Sequence, residues 1–95
     1  MTYTPSAKDE HTARAAVAEA AGLDAQATLL ERQAADRYED GPRLYGGGTL
    51  MHMRSLDIAD GYRKRAAILK HKAREWRAIA HWLRTGVRLE EKDWK

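Results

Sequence analysis

The chain has 95 residues, no cysteine and a formal net charge of +3. This length suits one domain, excludes disulfides and thiolate metal sites, and leaves little buried surface unless the chain associates. No apolar run approaches the roughly 20 residues that cross a bilayer, and Met1-Thr2-Tyr3-Thr4-Pro5 lacks the basic start and apolar core of a secretory signal. The expectation is therefore a cytoplasmic protein with no membrane partner.

In chain order, Ser6 is a predicted N-cap, with Asp9 and Glu10 in the first turn where the helix dipole favours acids. Good helix formers then run to Glu39, and Asp40-Gly41-Pro42 reads as the stop, so the first helix is expected over about 7–39. Gly22 weakens it by about 1 kcal/mol relative to Ala. The apolar phase passes through Gly22 without a shift, which favours one continuous helix. Residues 41–54 form a Gly-rich connection around Gly46-Gly47-Gly48. A second helix is expected over about 55–85, capped by Ser55, with Gly86 in the C′ position. The tail, 86–95, is expected to add a short turn or stay loose, with Trp94 as its anchor.

The second helix carries apolar residues at steps of three and four: Ala59, Tyr62, Ala66, Leu69, Ala73, Trp76, Ala80, Leu83 and Val87. The first reads Ala13, Ala16, Ala20, Leu23, Ala27, Leu30 and Ala34. If facing residues sum to 96, the layers are Ala13–Leu83, Ala16–Ala80, Ala20–Trp76, Leu23–Ala73, Ala27–Leu69, Leu30–Ala66 and Ala34–Tyr62. All but one match a small side chain with a large one, as interdigitating layers require. The midpoint of that register, residue 48, falls within the glycines. Trp76 is accordingly expected in the core. These layers predict an all-α antiparallel hairpin, coiled-coil-like, as a single domain over residues 1–95.

Charge supports the pairing. Residues 1–49 hold five basic and eight acidic side chains, and residues 50–89 hold ten and three. Beside the seam the register matches Glu10 with Arg84, Asp24 with Lys70 and Glu31 with Arg63, while Val17 opposite Arg77 breaks the column. Such pairs are each worth a few tenths of a kcal/mol, and their value is in fixing register and direction.

A second apolar set lies off the seam: Ile58, Ile68, Ile79, Trp82 and Leu89, with Leu29 on the first helix. A solvated face rarely carries such residues, so they are the expected partner surface, most simply in a homodimer packed as a four-helix bundle. The cations Lys64, Arg65, Lys72, Arg74 and Arg88 are left out of the predicted pairs and are the candidates for nucleic-acid contact.

No constellation points to catalysis. His11, His52, His71 and His81 lack the spacing of four that sets two ligands on one helix face, so no metal or other cofactor is expected. Arg74 and His81 stand seven apart, as in some helical RNases, but both residue types are common here. Met51 and Met53 beside the glycines are expected to pack across the end of the hairpin. Size and shape are similar to the small secreted helical hairpins that carry Trp-x-Gly in their turn, but this turn reads Leu44-Tyr45-Gly46-Gly47-Gly48, so the chain is not placed among them. The expected function is a non-enzymatic protein–protein interaction module, an adaptor or regulator of bacterial or phage type. The alternative is a nucleic-acid-binding accessory protein using the basic residues of the second helix.

Overall fold

The computed structural model describes residues 3–95. Helix α1 runs Ala7–Tyr45, helix α2 runs Leu50–Thr85, and a 3-10 turn follows at Glu91–Asp93. The two long helices pack against each other as a hairpin, and no strand occurs among the described residues. Two compact units share these helices, one made of the residues up to Asp24 together with Lys70–Lys95, the other of Ala25–Leu69.

Both helices are longer than the sequence reading expected at the turn. The expected stop at Asp40-Gly41-Pro42 does not end α1, which continues through Pro42 to Tyr45. Proline normally excludes the residue before it from helical geometry because its ring meets that residue's Cβ. The ring also crowds the preceding N–H, but Gly41 has no Cβ, so the Cβ part of the clash is absent. The helix closes beyond Pro42 with a bond from the Gly46 N–H to the Pro42 carbonyl at 3.0 Å.

The expected connection over 41–54 shortens to Gly46–Thr49, with φ of +77° at Gly46 and +80° at Gly48. The cap of α2 is Thr49, not Ser55. Thr49 Oγ1 accepts from the His52 N–H at 3.2 Å, and His52 Nδ1 accepts from the Gly48 N–H at 3.1 Å. This reciprocal arrangement is close to a capping box. Ser55 lies inside α2, buried, because Gly41 brings α1 close to it. A Cβ added at Gly41 would stand 3.1 Å from the His52 ring and 3.8 Å from Ser55 Oγ. Gly41 and Ser55 also sum to 96, so the register continues to the last turn of α1. Ser6 caps α1 as expected, accepting from the Asp9 N–H at 3.1 Å, and the helix is continuous through Gly22.

All nine buried apolar residues among those described are alanines: Ala13, Ala16, Ala20, Ala27 and Ala34 on α1, and Ala59, Ala66, Ala73 and Ala80 on α2. In the first unit Ala13, Ala16 and Ala80 form one cluster with Leu83 packed against it, as the first two layers of the register require. Leu23, Leu30, Tyr62, Leu69 and Leu83 are half-buried. Trp76, expected in the core, is 39% exposed. Alanine methyls let two helices approach closely, and the space left between them then holds no indole.

Polar contacts flank the seam in each unit. In the first, Arg84 binds Glu10 in a forked pair at 3.0 and 3.3 Å, and Arg77 Nη1 donates to Asp24 Oδ2 at 2.6 Å. Arg77 thus reaches an acid one heptad beyond Val17, its expected neighbour. In the second unit the Tyr38 hydroxyl donates to Asp60, and the Arg63 guanidinium lies over the Tyr38 ring at 5.6 Å. Its hydrogen bond with Tyr38 raises the Arg63 guanidinium above its ordinary value, against desolvation, with Asp60 and Glu31 adding smaller contributions.

Hydrogen bonds from Arg84 hold the Glu10 carboxyl below its ordinary value, against the opposing effect of desolvation, with Arg14 adding to the fall. A depressed carboxyl stabilises the fold above its unfolded value, and that contribution is lost as pH falls through the depressed one. Glu10→Gln should therefore show a shallower loss of melting temperature than the parent between about pH 5 and pH 3. At the other end of the helices, Gly41→Val should destabilise by about 1–3 kcal/mol through overpacking. Gly47→Ala, whose added Cβ meets nothing within 4 Å, is the near-neutral control in the same urea titration.

Candidate functional site

Five of the six off-seam apolar residues stand one position before a seam residue: Leu29 before Leu30, Ile58 before Ala59, Ile68 before Leu69, Ile79 before Ala80 and Trp82 before Leu83. One residue is about 100° of helix rotation, so they cannot share the seam and turn outward beside it. Leu29 is 55% exposed, Ile58 44%, Ile68 57% and Trp82 48%. Ile79 and Leu89 are half-buried.

That difference comes from the tail. Helix α2 ends at Gly86, with φ of +74° and its N–H on the Trp82 carbonyl at 2.8 Å. The Tyr3 ring covers Gly86 so closely that a Cβ there would stand 2.8 Å from it. The tail then folds back along α2. The Trp94 indole N–H donates to the Leu89 carbonyl at 3.4 Å, and its ring meets that of His71 at 5.4 Å. His71 Nε2 lies 3.4 Å from Glu91 Oε1, and Arg77 Nε donates to the Lys95 carbonyl oxygen at 2.6 Å. Trp94 is therefore the anchor the sequence suggested, and the short turn it suggested is the 3-10 turn.

Folding the tail onto α2 creates two adjoining clefts in this unit. One, of about 250 Å³, is lined by Glu75, Ala78, Ile79 and Trp82 of α2 with Leu89 and Trp94 of the tail, and Arg88 stands at its edge. The other, of about 570 Å³, lies between Arg77, Ala78 and His81 of α2 and Leu89, Lys92 and Trp94 of the tail. The sequence reading found Trp82, Ile79 and Leu89 but not Glu75, Ala78 or the walls supplied by Trp94. Nothing in periodicity announces a tail contact; the aromatic in a charged, otherwise loose segment was the available signal.

The five cations do not form one ridge. Lys64, Arg65, Lys72, Arg74 and Arg88 are all exposed. Lys64 and Arg65 are adjacent, so they project about 100° apart, and Lys72 and Arg74 project about 160° apart. Arg65 lies over the Tyr62 ring at 5.8 Å, with Arg37 at 5.7 Å from the same ring. Arg88 belongs to the cleft. Met51 and Met53 do not pack across the end of the hairpin as expected, and each is 53% exposed. With Thr49 capping α2 earlier than expected, both residues fall in its first turn and point outward.

Among the described residues no group of three His, Asp or Glu side chains converges as a metal site would, and no helix is long and apolar enough to cross a membrane. No protein-family model, curated protein or solved structure matches the chain. The first unit offers a mostly apolar cleft between the indoles of Trp82 and Trp94. Trp94→Ala should leave helical content unchanged by circular dichroism while making residues 87–95 several-fold more sensitive to limited proteolysis, because the tail loses its anchor on Leu89 and His71.

Proposed function

We propose that this chain is a non-enzymatic protein–protein interaction module that acts as a homodimer, two hairpins packing as a four-helix bundle. The observation that carries the reading is an inversion of burial: the core is made of alanines while Ile58, Ile68, Trp76 and Trp82 stay exposed. Burying a methyl contributes about 0.8 kcal/mol, against about 1.5–3 kcal/mol for a whole Leu or Ile side chain. An alanine seam brings helices together without burying much, and the large side chains are left to do so against another surface.

The dispersed cations support the nucleic-acid alternative less well, since phosphate binding along one backbone needs them on one face.

Light scattering at about 100 μM should give twice the 10.8 kDa chain mass, and Trp82→Ala should shift the protein toward monomer. A monomer at that concentration would remove the reading. A gel shift with mixed DNA and RNA that weakens steeply between 50 and 200 mM salt would favour the alternative.

A further inference from the structure

We infer that the second copy lies antiparallel along α2 and inserts its Ile68 into the cleft of about 250 Å³ beside Trp82, reciprocally in both directions. This rests on the homodimer reading and specifies its face and register.

The four α2 residues that line this cleft, Glu75, Ala78, Ile79 and Trp82, stand at i, i+3, i+4 and i+7. That is the outline of the hole that receives one knob in coiled-coil packing. Leu89 and Trp94 extend its wall, so the occupant must be a large apolar side chain. The surrounding stripe steps by three and four: Arg65, Ile68, Lys72, Glu75, Ile79, Trp82. It sits about 100° from the alanine seam, near the right angle at which a helix in a square bundle meets its two neighbours.

A twofold interface must be self-complementary: if residue i meets j, then j meets i. Placing Ile68 of the second copy opposite Ile79 fixes every other pair. Lys72 then faces Glu75 of the second copy, and Arg65 faces the Trp82 indole, a cation–π partner. Ile68, Ile79 and Trp82 thereby each gain a fitting neighbour. Shifting the register by one heptad, the nearest alternative that keeps Glu75 on a cation, pairs it with Arg65. That shift puts Gly61 opposite the hole and leaves Ile68 against Lys72. An unrelated partner would have no reason to find the stripe complementary to itself.

The test mixes two charge variants in a chain that otherwise dimerises. Lys72→Glu and Glu75→Arg each oppose like charges twice across the twofold, so each alone should raise the dimer dissociation constant about tenfold or more. Mixed in equal amounts they should form a heterodimer of near-parental affinity, read by light scattering or by native mass spectrometry. Ile68→Asp should abolish dimers, and Arg74→Ala, off the stripe, should leave them unchanged. If Arg65→Glu rescues Glu75→Arg and Lys72→Glu does not, the register is overturned while the homodimer stands. If neither mixture shows rescue and Ile68→Asp still dimerises, the face is wrong. A parental protein that is itself monomeric removes the underlying reading instead.

Discussion

Close approach of two helices through alanine methyls is the constraint from which the other features of this protein follow. Alanine recurs at every seventh position, from Ala13 to Ala34 on α1 and from Ala59 to Ala80 on α2, and these are the positions that are buried. Gly41 extends the α1 column by one more heptad and brings the helix end against Ser55 and His52. With so little side chain between them, the helices leave no room for an indole or a full isoleucine. Trp76 is left exposed, and the large residues one position off the seam face outward.

That arrangement divides specification from stabilisation. Register and direction come from features that contribute modestly one by one: the small–large alternation and the Glu10–Arg84 fork. Buried apolar area, which dominates the stability of most folds, is scarce inside the hairpin. Thr49, His52 and the left-handed glycines at 46 and 48 close the turn with local hydrogen bonds. The tail adds what the seam cannot, an aromatic contact and an apolar wall. It brings Leu89 and Trp94 beside Ile79 yet leaves Trp82 exposed. A partial cover of this kind shapes a cleft where a bare helix would offer a flat stripe.

Where the sequence reading departed from the structure, a local rule met a tertiary exception. Asp40-Gly41-Pro42 is a strong stop by composition, but the stop depends in part on a Cβ that Gly41 lacks. Ser55 is a good cap by residue type, yet Thr49 sits nearer the glycines and finds His52 three residues on to complete the exchange. Trp76 followed the heptad faithfully; its phase was right and its depth was not, because depth depends on the distance between helices and not on angle. The five cations share only their place outside the predicted pairs, and adjacent helical residues among them diverge by about 100°. Tyr3 over Gly86 and His71 under Trp94 are contacts between segments distant in sequence, and no periodicity encodes them.

By itself, the sequence determined two helices, their antiparallel register and which residues would be left off the seam, because each depends on repeating positions and on turn residues that read locally. Only the tertiary structure decided how deep the large side chains lie and where the helices end at the turn. It also decided that the tail folds back to make a cleft of the exposed stripe. Those features depend on distances between elements, set here by alanine methyls and by one missing Cβ, and a linear pattern of residue types carries angles far better than it carries distances.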